Sequence, residues 1–215
     1  ASTEGMSYCS TSPPGSFSGN GSTVNTLCPA GYYQFGANRD SCEKCPPGRY
    51  SSAPGSIQCY QCNIGTYASA SGSSFCSNCT VGSVAYIGQS SCTVCSKGKY
   101  AVAMEYSCKP CDMGYYNPVS GSDKCAPCPA GHFSNWTGNA TLGTAGPSSC
   151  YKCTPGKYQH MTGAIGCQEC PINTYSNTYA AIQCHSCPVG MRTDHDKQTH
   201  CMYWPTSAPT GQPTG

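Results

Sequence analysis

Charged residues are scarce in this chain, and so are the large apolar ones. Only 9% of its 215 residues are Asp, Glu, Lys or Arg, which leaves little with which to build an acid and base pair. Eleven Lys and Arg stand against nine Asp and Glu, a net charge of +2, with no basic run and no helix-period segment to enter a groove, and this opposes nucleic-acid binding. Four Phe and two Trp, within a hydrophobic share of 38%, cannot form a conventional core. No apolar run is long enough to span a bilayer. No Gly-rich phosphate loop or nucleophile elbow occurs, so the chain reads as a non-enzyme with no catalytic residue and no cofactor. An apolar N-terminal stretch is also missing, as expected of a mature, processed or truncated chain.

Cysteine is what the chain has in abundance, with 21 residues. Nine Cys-x-x-Cys pairs follow one another: Cys42/Cys45, Cys59/Cys62, Cys76/Cys79, Cys92/Cys95, Cys108/Cys111, Cys125/Cys128, Cys150/Cys153, Cys167/Cys170 and Cys184/Cys187. Their period is 16 or 17 residues, broken only between Cys125 and Cys150, while Cys9, Cys28 and Cys201 stand alone. A fixed period of this kind predicts an array of small supersecondary units that contact mainly their neighbours, hence an elongated body.

The residues between the pairs repeat as well. A Gly falls three positions after each second Cys (Gly15, Gly31, Gly48, Gly65, Gly82, Gly98, Gly114, Gly131, Gly156, Gly190), replaced once by Asn173. Gly and Asn are the residues that tolerate a left-handed backbone, so a tight turn with positive φ is expected there. Two residues on comes an aromatic, from Phe17 and Tyr33 to Tyr158 and Tyr175, interrupted by Val84 and Arg192. These rings are expected to lie against the sulfurs and stand in for a core. A second Gly (Gly55, Gly72, Gly88, Gly121, Gly146, Gly163) reads as the reversal of a short hairpin. The predicted fold class is therefore small and disulfide-rich, a tandem array of about 10–11 short β-hairpin modules with minimal helix.

Spacing rarely determines connectivity, but one irregularity helps. Ser12 occupies the second site of a pair and Asn25 the first site of the next, so two cysteines are missing together. Their joint loss fits a bond from each second Cys to the following first Cys. The rule gives Cys28–Cys42, Cys45–Cys59, Cys62–Cys76, Cys79–Cys92, Cys95–Cys108, Cys111–Cys125, Cys128–Cys150, Cys153–Cys167, Cys170–Cys184 and Cys187–Cys201, and leaves Cys9 over. Bonding within pairs would strand Cys9, Cys28 and Cys201. Four fates stay open for Cys9: a partner about 14 residues upstream, a bond to another molecule, a free thiol, or a rearranged pairing.

Zinc sites would group the pairs two by two with unlike spacings, whereas here the gaps are alike and the number of pairs is odd. Thioredoxin-like chemistry needs one such motif at a helix start, not nine in turn-rich sequence. The histidines His132, His160, His185, His195 and His200 are scattered, and Asp194-His195-Asp196 with His200 reads as a solvated loop; no metal is expected.

Disulfides at this density imply an oxidising compartment, extracellular or at the cell surface. Asn20, Asn78, Asn135 and Asn139 begin Asn-x-Ser/Thr sequons and are candidate N-glycosylation sites. Asn135 and Asn139 share the enlarged unit at 128–150, expected to carry them on a longer loop. Three segments result: 1–27, an atypical module without its own disulfide; 28–201, the tandem repeats; and 202–215, a Pro/Thr/Gly-rich linker or stalk of extended geometry, where Trp204 stands in a second Cys site.

The unit from Cys45-Pro-Pro-Gly-Arg-Tyr50 to Cys59 and Cys62 resembles the single-disulfide module of tumour necrosis factor receptors and the Eph-receptor-like Cys-rich repeat, and the resemblance extends over 28–201. It implies the same bond order and an EGF-like style of disulfide module. It carries over no ligand site, because the motif also occurs in ciliate surface antigens and many multidomain extracellular proteins. The Pro-Thr-Gly-Gln tail is similar to repeats in algal cell-surface and mastigoneme proteins. Together these imply a secreted, glycosylated structural rod of a fibre, filament or cell coat. Its partners would be further copies or other extracellular proteins, with attached glycans, no nucleic acid and no direct membrane insertion. A receptor-type ectodomain with anchors such as Tyr32, Tyr86, Tyr106, Tyr115 and Tyr179, or a passive spacer, is the alternative.

Overall fold

The computed structural model describes residues 11–19, 22, 24–135 and 146–203. Among them are eleven two-stranded antiparallel sheets, each a hairpin of consecutive strands two residues long, and no helix. They fall into two compact units: 11–95 with 101–108 and 121–123, and 96–100 with 109–120 and 124–203. Within each unit the same module recurs.

The module 46–62 shows why this sequence folds locally. Pro46-Pro47-Gly48-Arg49 makes a tight turn in which Arg49 N donates to Pro46 O at 3.1 Å and Gly48 has φ of 80°. Proline presets the second position of a type II turn, and the third requires positive φ. The chain leaves as Arg49–Tyr50, loops through 51–59, and returns as Tyr60–Gln61 with Arg49 opposite Gln61 and Tyr50 opposite Tyr60. Cys62 N then donates to Gly48 O at 2.9 Å, and Cys45–Cys59 pins the loop to the residue before the turn.

Modules are joined mainly through backbone. Gly48 N donates to Ala68 O of the next module at 2.8 Å, and Ser51 N to Ser73 O at 3.2 Å. Gly72 N reaches back past one module to Cys45 O at 2.7 Å. The loop residue four before each first Cys is also left-handed: five of the six second-site glycines adopt positive φ, and so do Asn38, Met104, Ala180 and Lys197 in the same place. Gly146, in the enlarged unit, meets backbone instead: a Cβ there would lie 2.3 Å from Gly98 O and 2.6 Å from Cys111 N.

The expectation that the rings form the core is also corrected. Tyr33, Tyr50, Tyr67, Tyr100, Tyr116, Phe133, Tyr158 and Tyr175 are only partly buried. Several meet their cross-strand neighbours: Tyr50 and Tyr60 at 6.3 Å, Phe133 and Tyr151 at 5.7 Å, Tyr175 and His185 at 5.8 Å between ring centres. The buried positions are the second cysteines from Cys28 to Cys170 and the residue after the ring. That residue is Gln34, Ser51, Ala68, Ala85, Ala101, Asn117, Ser134, Gln159, Ser176 or Thr193, all nearly inaccessible to solvent. Several spend their polar atoms on backbone: Ser51 Oγ donates to Tyr32 O at 3.0 Å, Asn117 Nδ2 to Lys99 O at 2.6 Å and Gln159 Nε2 to Gly166 O at 2.8 Å. A buried polar group is tolerated when bonded in this way.

The turn glycine answers to a contact as well as to φ. A Cβ on Gly48 would lie 2.0 Å from Gly88 O, a carbonyl two modules on. The same clash with backbone two modules on holds for Gly15, Gly31, Gly65, Gly82, Gly98, Gly114, Gly131 and Gly156, but among the described residues nothing lies within 4 Å of such a Cβ at Gly190. Gly190→Ala should therefore cost only the left-handed strain, about 1–2 kcal/mol. Gly48→Ala should cost clearly more, because backbone must also shift. Thermal or denaturant unfolding of the two disulfide-intact variants, side by side, reads the difference.

Candidate functional site

The sulfur frame organises everything else. The structure joins Cys28 to Cys42, Cys45 to Cys59, Cys62 to Cys76, Cys79 to Cys92 and Cys95 to Cys108. It also joins Cys111 to Cys125, Cys128 to Cys150, Cys153 to Cys167, Cys170 to Cys184 and Cys187 to Cys201. These are the same ten pairs that the second-to-first rule gives. The longer Cys128–Cys150 span leaves its hairpin intact, with His132 opposite Lys152 and Phe133 opposite Tyr151. Cys9 lies outside the described residues, as do Asn20, Asn139, Trp136 and the tail from Trp204 onward.

Where the bond is missing, polar groups hold its place. Ser12 is fully buried; its Oγ accepts from Arg39 N at 3.3 Å and lies 3.5 Å from Arg39 O. Asn25 Oδ1 is buried and has no hydrogen-bond partner among the described residues. The hairpin still forms, pairing Ser16 with Leu27 and Phe17 with Thr26.

Of the candidate glycan sites, Asn78 and Asn135 are described, and both are exposed. Asn78 lies on a return strand opposite Thr66, and Asn135 follows buried Ser134 at the edge of the enlarged loop. Among the described residues no three His, Cys, Asp or Glu side chains come together as metal ligands, and Asp194 pairs instead with Arg192 Nε at 3.5 Å. That pair borders an open hollow of about 340 Å³ with Ile172, Asn173 and Thr193. Asn173 keeps the expected left-handed turn, with φ of 65°, and its N–H donates to Thr193 Oγ1 at 2.8 Å.

Two polar clusters tune the return strands. Tyr33 Oη donates to Glu43 Oε2 at 2.8 Å, and that bond, with some burial and the carboxylate charge, raises the phenol's pKa. Glu169 faces Lys157 at 3.4 Å and Lys197 at 3.5 Å, and these ammonium groups, Lys157 foremost, lower its pKa.

Exposed apolar side chains occur on the return strands, at the turn tips and in the loops. Leu27, Tyr60, Val94, Tyr151, Met202 and Tyr203 on the strands are exposed, as are Ile64, Val81, Met113, Ile172 and Val189 at the tips. One exposed aromatic pair does not repeat: the rings of Tyr86 and Tyr106 lie 6.0 Å apart. Both lie off the repeating aromatic position and are among the receptor-type anchors that the sequence offers. Sequence reasoning misses the buried residue after the ring, whose signal is that this site is never charged or large and aliphatic.

Two outcomes follow from this geometry. Ser12→Cys with Asn25→Cys should close an eleventh bond and raise stability by about 3 kcal/mol, the chain-entropy value for such a loop. Mass mapping would show the new pair, and unfolding would show the gain; the two cysteines left as thiols would contradict it. A carboxylate with lowered pKa stabilises the fold above its ordinary pKa and loses that effect as pH falls through the lowered value. Glu169→Gln should therefore flatten the acid side of the stability profile slightly, and added salt should erase the difference, since the pair is solvent-exposed.

A family model described as tyrosine-protein kinase ephrin type A/B receptor-like matches residues 15–58, 98–142 and 160–201, which is more than half of the chain. No curated protein matches significantly. With ten disulfides in tandem hairpin modules, the match points to an extracellular or cell-surface domain. No helix among the described residues is long and apolar enough to cross a membrane. The chain belongs to the ephrin-receptor-like family of Cys-rich repeats.

Proposed function

We propose that this chain is a non-catalytic, glycosylated extracellular structural protein that associates side to side with further copies as a building block of a fibre or cell coat. The observation that supports this reading is the repetition of exposed apolar residues at the turn tips. Ile64 and Val81 take this place in one unit, and Met113, Ile172 and Val189 in the other. Large apolar groups stand at five of the eleven turn tips, with Lys97, proline or alanine at the others, and such sites spaced by multiples of the module suit a partner built on the same period, which a second copy supplies by construction. Exposed apolar patches are the usual mark of an interaction surface.

The Tyr86–Tyr106 pair favours a second reading, a receptor-type ectodomain with one local anchor, since aromatic anchors dominate protein interfaces. Electron microscopy of natively secreted, unreduced material, together with its size distribution in solution, separates the two. Ordered filaments that are lost when Val81, Met113 and Ile172 are changed to Ser are expected. Monodisperse single chains at high concentration would refute the structural reading.

A further inference from the structure

We propose that Asn78 carries an N-linked glycan whose first sugars lie over the exposed Tyr86–Tyr106 rings, so that this apolar face is covered by the chain's own carbohydrate. The inference rests on the secreted reading of the chain and assigns that reading one site and one contact.

The repeat places the two together. In other modules the residue just before the second Cys reaches the left-handed loop residue two modules on. Leu27 Cδ2 lies 3.3 Å from the Cβ position of Gly55, Lys44 Cγ 3.7 Å from that of Gly72, and Gln61 Cδ 3.5 Å from that of Gly88. Val94 Cγ1 lies 3.4 Å from that of Gly121 and Pro127 Cβ 3.7 Å from that of Gly163. Glu169 meets Lys197 in the same relation, as an ion pair at 3.5 Å. Asn78 holds this place in its own module, and its counterpart is Met104. Asn78 pairs with Thr66, and the Cβ position of adjacent Gly65 lies 2.4 Å from Met104 Cα.

Met104, like Asn38, Ala180 and Lys197, is a non-glycine residue at this left-handed place. A methionine at φ of 65° is strained where most modules have glycine, and its side chain is half exposed. Two residues on is Tyr106, whose ring meets that of Tyr86, and both are more than half exposed at 53% and 56%. Ile87 and Val102, close by in sequence, are also exposed. Pyranose rings suit such a surface: their C–H faces pack on aromatic rings while their hydroxyls stay in water, as amphipathic groups do at a wet interface. A sugar rooted at Asn78 starts beside this face.

Attachment is a balanced substitution on an Asn-Cys-Thr sequon. Asn78 Nδ2 gives up one proton and forms a bond to C1 of the first N-acetylglucosamine. The C1–O bond to a lipid-pyrophosphate carrier breaks, the lipid pyrophosphate leaves, and nothing is oxidised or reduced.

The test uses the full chain secreted from glycosylating cells. Peptide mapping gives occupancy, and glycosidase release under native conditions is timed at Asn78 and Asn135, in the parent and in Tyr86→Ser/Tyr106→Ser. Asn78 should be occupied and released more slowly than Asn135; the double variant should speed release at Asn78 several-fold and leave Asn135 unchanged. Asn78 bare with Asn135 occupied overturns this proposal and spares the secreted reading. Both sites bare overturns the proposal and weakens that reading too. Asn78 occupied but indifferent to the tyrosines overturns the contact and leaves the rings as a docking face for a protein.

Discussion

The close approach of one module's turn to a loop carbonyl two modules on sets the terms for the rest of the structure. At Gly48 the carbonyl of Gly88 sits where a side chain would begin. Only a residue without Cβ admits that contact, and only a left-handed turn presents its backbone to it. Once the turn is seated, Gly48 N and O are both taken, by Ala68 O and Cys62 N. A disulfide closes the loop that carries this carbonyl, Cys79–Cys92 in the case of Gly88. A chain poor in large apolar residues thus builds an interior from sulfur, small side chains and backbone. Each hydrogen bond adds about 1 kcal/mol and each closed loop about 3 kcal/mol.

An interior made of backbone leaves the side chains free. The return-strand pairs read Glu-Lys, Tyr-Gln, Ser-Asn, Thr-Val, Lys-Pro and Ala-Pro in successive modules, on one unchanged frame. This is why the family match identifies the scaffold and says little about what the scaffold meets. Whatever distinguishes this chain lies in those variable positions: the Glu169 and Lys197 clasp, the turn-tip apolar residues, and the cluster around Met104 and Tyr106.

Much of this is legible in the sequence, because it is written in spacing. The period, the hairpins and the left-handed turn at Asn173 all follow from which residue types recur where. The buried sites were harder to see. Ser51, Gln34 and Asn117 look like surface residues by type, and their burial depends on carbonyls supplied by loops and neighbouring strands. The rings misled for the opposite reason: Tyr50 is apolar enough for a core, but in a two-residue strand it has only its cross-strand neighbour to pack on. Positive φ at Met104 and Ala180 was hidden because neither residue favours it; the loop imposes it.

The first described module separates the two contributions of sulfur and backbone. It has Ser12 and Asn25 in place of a bonded pair, yet Gly15 has φ of 81° and its N–H donates to Gln34 O at 2.8 Å. Cys28 N donates to Gly15 O at 2.9 Å, and Asn38 N to Ser12 O at 3.1 Å. A Cβ on Gly15 would lie 2.2 Å from Gly55 O, as tight as in the bonded modules. The ladder therefore defines the module's geometry without a disulfide, given folded neighbours downstream to supply the carbonyls. The disulfide's share is stability, exerted by restricting the unfolded chain. A module at the centre of the array has neighbours on both sides and could in principle forgo its bond. With ten bonds in place, each of those loops stays closed when the array opens locally.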